Sequence, residues 1–81
     1  MNYSMLIQWS DEDQVYVVTL PEWEASGHAC RTHGASYVEA AARGEEMLRF
    51  VLDAARQDGD RIPAPNTLSD QPSVTAGAPA V

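Results

Sequence analysis

Residues 34–59 read GASYVEAAARGEEMLRFVLDAARQDG, and this stretch decides the fold. Ser36 followed by Glu39 fits the S-x-x-E capping box, in which a hydroxyl and a carboxylate satisfy the free amides of a helix start. Beyond it, Ala40, Ala41, Gly44, Met47, Leu48, Val51, Leu52 and Ala55 recur at helical spacing and form one apolar stripe. Glu45, Glu46, Arg49, Arg56 and Gln57 fall largely outside it, and Glu45 to Arg49 is an i,i+4 pair in the favourable acid-first order. Gly59 can take the left-handed conformation that closes a helix. A helix over Ser36–Asp58 follows. Ala42 and Gly44 keep it slim, so it should lie close against a sheet. Gly44 costs up to roughly 1 kcal/mol against Ala, which close packing would justify.

Upstream, the periodicity changes from helical to alternating. Residues 3–9, YSMLIQW, put Tyr3, Met5, Ile7 and Trp9 on one face, the pattern of a half-buried strand. Ser10 to Gln14, SDEDQ, is a polar turn. Val15 to Leu20, VYVVTL, is β-branched and aromatic and reads as a second strand. The short turn makes the two an antiparallel hairpin. Pro21 lacks the amide proton a ladder needs and ends the strand. Residues 22–27 are a connection, and His28 to His33, HACRTH, is a weaker third strand. Downstream of the helix, Pro63 and Pro65 hold the backbone extended and Ile62 can pin it to the core. The expected fold class is α+β: a small antiparallel three-stranded sheet with one helix on one face, β-β-β-α plus a short extended segment. Residues 1–67 form the domain. Residues 68–81, LSDQPSVTAGAPAV, have few large apolar side chains and are expected to be a flexible low-complexity tail.

The chain has 81 residues and a formal net charge of −7. A domain this small buries only about 60% of the surface its unfolded chain exposes, so a homodimer or homotetramer is expected. The five basic residues are arginines scattered at positions 31, 43, 49, 56 and 61. No basic patch marks a nucleic-acid or anionic-membrane surface, so neither is an expected partner. An acidic surface suits a basic protein partner, and it equally serves solubility. Cys30 is the only cysteine, so no intrachain disulfide is expected. No run approaches the roughly 18 apolar residues of a membrane span, and MNYSMLIQWS is not a signal peptide, so a cytoplasmic location is expected.

Three sets of residues are candidates for chemistry or contact. His28, Cys30 and His33 form H-x-C-x-x-H, weak candidates for metal. On a strand, His28 and Cys30 would share a face and His33 would point away. A structural zinc site takes four protein ligands, which one chain does not supply. Cys30 reads better as a small buried hydrophobe. A nucleophilic role would need a base, an orienting group and oxyanion donors, none of which is identifiable, so no catalytic residue and no cofactor is expected. Asp11, Glu12, Asp13, Glu22 and Glu24 sit in turns and connections; a metal-dependent nuclease would need such carboxylates clustered. Of the two tryptophans, Trp9 continues the apolar face of the first strand and reads as core. Trp23, flanked by Glu22 and Glu24, reads as exposed and is the first choice for a protein contact. The expected partner interface is therefore Trp23, Glu22, Glu24, Asp11 and Asp13.

Taken together, these segments resemble the HicB family of type II antitoxins. That family runs through an N-terminal strand, an acidic turn, a strand ending in Pro-Glu, a short strand, a Gly-x-[Ser/Thr]-x-x-Glu-Ala helix start and a Gly-x-x-Ile-Pro-x-Pro ending. Here these are Tyr3–Trp9, Ser10–Gln14, Val15–Glu22, His28–His33, Gly34 to Ala40, and Gly59 to Pro65. The resemblance covers roughly residues 3–66. It implies a partial ribonuclease H-like fold and a non-enzymatic role: neutralising a basic HicA-type mRNA interferase by covering its active surface. Many members continue into a DNA-binding domain, where this chain has its low-complexity tail, so direct DNA binding is not expected. A solitary accessory oligomer without a toxin is the alternative, followed by a small metal-dependent nuclease or hydrolase.

Overall fold

Strand β1 spans Leu6–Ser10 and strand β2 spans Val15–Thr19 in a computed structural model that describes residues 2–68. They pair antiparallel, from Leu6 opposite Thr19 to Ser10 opposite Val15. The four-residue loop between them closes because Gln14 takes a left-handed conformation at φ 57° and donates its amide to the Ser10 carbonyl at 2.8 Å. Ser10 Oγ accepts the Asp13 amide at 3.1 Å and Gln14 Nε2 donates to the Asp11 carbonyl at 2.8 Å, so the serine and glutamine side chains hold the bend.

The segment after β2, expected to be a plain connection, is a short helix, α1, spanning Pro21–Ala25. Proline suits the first helical position, where its missing N–H is no loss and its φ is already helical. Glu22 and Glu24 lie in that first turn, where negative charge is favoured. The His28 amide donates to the Trp23 carbonyl at 2.8 Å as the chain turns back. Residues 28–30 are spent on that return, so strand β3 is Arg31–Gly34 and not His28–His33. It pairs antiparallel with β2, from Thr19 opposite Arg31 to Tyr16 opposite Gly34, which gives the sheet order β1-β2-β3.

Helix α2 runs Tyr37–Asp58. Ser36 caps it, accepting the Glu39 amide at 3.1 Å, and the Glu39 carboxylate reaches back to the Ala35 amide. Gly59 ends it in the left-handed conformation, with its amide turned to the last carbonyls. Ala40, Gly44, Leu48, Leu52 and Ala55 are buried against the sheet, the stripe read from the sequence. Close approach is real at two glycines. A Cβ on Gly34 would stand 2.4 Å from the Ala40 backbone nitrogen, and one on Gly44 would stand 3.0 Å from Val18 Cγ1 and nearer still to Met5 Sδ. Ala42, expected to share the slim face, is exposed; Ala40 is the small residue that lies against β3. The ion pairs among the described residues are Glu39–Arg43 at 4.0 Å and Asp53–Arg56 at 3.7 Å, and Glu45–Arg49 is not closed.

The core centres on Leu20, Trp23, Leu48 and Leu52, with Tyr3, Met5, Met47, Val51 and Ile62 packed around it. Two expectations are reversed here. Trp23 is 5% exposed and Trp9 is 47% exposed. The reason is α1: it folds Trp23 over the end of the sheet, while Trp9 sits on edge strand β1 at the opposite, hairpin end. The first strand also starts later than expected. Tyr3 to Met5 are half-buried but unpaired, because the Ser4 amide bonds to Glu22 instead of to a strand. After α2, the proline-bearing segment runs past Tyr3, whose hydroxyl donates to the Pro63 carbonyl at 2.7 Å. Of the expected tail, residues 69–81 lie outside the described residues.

Candidate interaction surface

Alternation along β2 sends Tyr16 and Val18 under the helix, and the register places Trp9 opposite Tyr16. Tyr37 opens α2 one short turn after Gly34, which itself pairs with Tyr16. The three rings therefore meet. Trp9 and Tyr16 stand edge to face with centroids 5.0 Å apart, and Tyr16 and Tyr37 are 4.4 Å apart. Such pairs add about 0.5–1.5 kcal/mol beyond their area burial. They are not a core: Tyr37 is 64% exposed and neighbouring Val38 is 81% exposed.

The acidic hairpin loop borders this aromatic patch. Trp9 Nε1 donates to Asp11 Oδ1 at 2.9 Å, which fixes the indole beside the carboxylate. Asp11, Glu12 and Asp13 are all exposed. The result is a rigid aromatic surface at the N-terminal end of α2, rimmed by negative charge. Trp and Tyr offer large contact area at low entropic cost, and exposed carboxylates steer a basic partner.

The residues expected to form the partner interface do not come together. Asp11 and Asp13 are at the hairpin end, whereas Glu22, Trp23 and Glu24 lie beyond Leu20. The five residues of β2 separate the two groups by roughly 17 Å at about 3.4 Å per residue. Trp23 belongs to the core. Glu22 is 3% exposed and works as an internal tie. Its Oε2 accepts from the Asn66 amide at 2.8 Å and Ser4 Oγ at 3.0 Å, and the Ser4 amide reaches both oxygens at 3.1 and 3.2 Å. Burial alone would raise this carboxyl; the hydrogen bonds from Asn66 and Ser4, with the helical amide of Glu22 itself, outweigh it and hold the group below the usual carboxylate value. Only Glu24, Asp11 and Asp13 of the expected set remain on the surface.

The weak metal candidates are also dispersed. His28 and Cys30 precede β3 and His33 is on it, with both histidines exposed. Among the described residues no group of three or more His, Cys, Asp or Glu side chains could hold a metal ion. Cys30 lies in a cleft of about 150 Å³ with Trp23, His28, Phe50 and Val51. Burial, and then the negative charge of Glu24, push its thiol pKa up, which disfavours the reactive thiolate.

The aromatic patch was missed in the sequence because Tyr37 looked like part of a helix start and Trp9 like core. One signal was present: Tyr37 lies three residues before Ala40 and seven before Gly44, in line with the apolar stripe of α2, so its ring faces the sheet. No helix among the described residues is long and apolar enough to cross a membrane. Comparison with protein-family models, curated proteins and solved structures finds no match.

Proposed function

We propose that this chain is a protein-binding module of the antitoxin type, which would neutralise a small basic mRNA-cleaving protein of the HicA kind by covering its active surface. The observation that carries this reading is the Trp9–Tyr16–Tyr37 patch, with Trp9 and Tyr37 exposed around a half-buried Tyr16, rimmed by Asp11, Glu12 and Asp13. The net charge of −7 and the HicB-like order of motifs support the same role. A basic surface would meet the acidic hairpin first, and the exposed rings would supply the buried anchor. On this reading the fold is a shortened ribonuclease H-like unit used as a scaffold, in the cytoplasm, without catalysis of its own.

The test is binding to a small basic ribonuclease encoded beside this chain, measured by calorimetry. Tight binding that weakens steeply with salt is expected. Trp9→Ala and Tyr37→Ala should each weaken it at least about tenfold, because anchor residues of an interface cost 2 kcal/mol or more when truncated. Full affinity in both variants would overturn the assignment of the surface, and absence of binding would overturn the role.

A further inference from the structure

We infer that the face of the sheet opposite α2 is where two copies of this chain stack, through a two-fold axis crossing β2 at Val17. The strand alternation that sends Val18 beneath the helix sends Val15, Val17 and Thr19 to this other face. Leu6, Gln8 and Ser10 flank them from β1, and Arg31 and His33 from β3. A water-facing sheet carries polar residues along its central strand. Here that strand carries Val15 and Val17, both half-buried, and Thr19, which is already buried. Leu6 beside them is 45% exposed, while Thr19 is 7% exposed and its hydroxyl is buried without a hydrogen-bond partner. A shallow cleft of about 360 Å³ runs over this face from Asp13 past Val15 and Val17 to Arg31.

The charges select a second copy as the occupant. Arg31 pairs across from Thr19, two residues to one side of Val17, and has no carboxylate within 4.0 Å among the described residues. Asp13 lies just beyond Val15, on the other side of Val17. The face is therefore positive at one end and negative at the other, with Val17 between Gln8 and His33 at its middle and each end on the order of 7 Å or more from Val17 along the strand. In a two-fold interface each patch meets its own copy reversed. An axis across the strands at Val17 runs the two β2 strands antiparallel. It sets Arg31 of each copy over the Asp13 end of the other, twice, with the valines meeting between them. An axis along the strands would set Arg31 over Leu6 and leave both charges unmatched. Two sheets so stacked lie about 10 Å apart, the spacing of a sandwich core. The helix side, with its aromatic patch, stays free for a different partner, so this pairing does not depend on that partner's identity.

Sedimentation equilibrium of the full chain, with circular dichroism as the folding control, tests the inference. The unaltered chain should dimerise. Val17→Asp, at a half-buried position off the helix-covered core, and Arg31→Asp, at an exposed one, should keep the native spectrum and raise the dimer dissociation constant roughly tenfold or more. The double variant Asp13→Arg, Arg31→Asp should recover dimerisation, because the swapped charges meet again. A chain that is monomeric at every concentration, or a dimer indifferent to Val17→Asp and Arg31→Asp, overturns the inference. So does a double variant no better than Arg31→Asp alone.

Discussion

Replacing Glu22 by Gln removes one charge from a nearly enclosed carboxylate and leaves its shape. The Asn66 amide, the Ser4 amide and the Ser4 hydroxyl converge on that group. Through them it joins the start of the chain to the segment following α2. Hydrogen bonds to a charged acceptor contribute about 1.5–3 kcal/mol and neutral ones about 0.5–1.5. Losing roughly 1 kcal/mol at each of the two backbone amides gives about 2 kcal/mol. A domain of this size has total stability of only about 3–10 kcal/mol, so the loss is large. At about 4–8 °C per kcal/mol, the melting temperature at pH 7 should fall by about 8–16 °C. The pH dependence provides a second readout. The folded-state pKa of Glu22 lies below its ordinary value of 4.5, so its contribution is fully present above that value and disappears as pH falls through the folded pKa. Thermal unfolding followed by circular dichroism should show the gap between the two proteins at pH 7 and its progressive narrowing in acid. Equal melting temperatures at pH 7, or a gap that does not shrink in acid, would refute the reasoning.

The two tryptophans should respond very differently to truncation. Trp23→Ala should cost about 3–5 kcal/mol, the range for a large buried aromatic, and Trp9→Ala about 1 kcal/mol or less, as read by urea unfolding; equal costs would contradict the burial described. Gly34→Ala should destabilise far more than Gly44→Ala, since the new methyl would meet the Ala40 backbone at position 34 but mainly the flexible Met5 side chain at position 44. Circular dichroism melts of the two variants check this, and the reverse order would refute it. Cys30 should react with iodoacetamide at pH 7 more slowly in the folded chain than in urea, because burial and Glu24 hold its thiol protonated; equal rates would show that neither acts.

The bounds and the buried stripe of helix α2 were legible because their signals are local. The Ser36 cap, the Gly59 stop and the stripe from Ala40 to Ala55 each act within a few residues, and the helix runs Tyr37–Asp58 as they require. The β1–β2 hairpin was legible for the same reason. What escaped the sequence depends on residues distant along the chain. Pro21 was read as a strand terminator, which it is, but its use as the first residue of α1 depends on the core that receives Trp23. Glu22 looked like a solvated acid because its partners, Ser4 and Asn66, lie 18 and 44 residues away. Trp9 obeys its alternation, yet alternation alone does not say how far along the sheet the helix reaches. Which face Val15, Val17 and Thr19 take was not legible either, because it depends on the side of the sheet that α2 covers.

The most direct test of the proposed role is RNA cleavage by a small basic ribonuclease of the proposed kind, followed with and without an equimolar amount of the purified chain. Cleavage should stop when the chain is added and return when Trp9→Ala takes its place. Undiminished cleavage with the unaltered chain bound would contradict the role of covering an active surface.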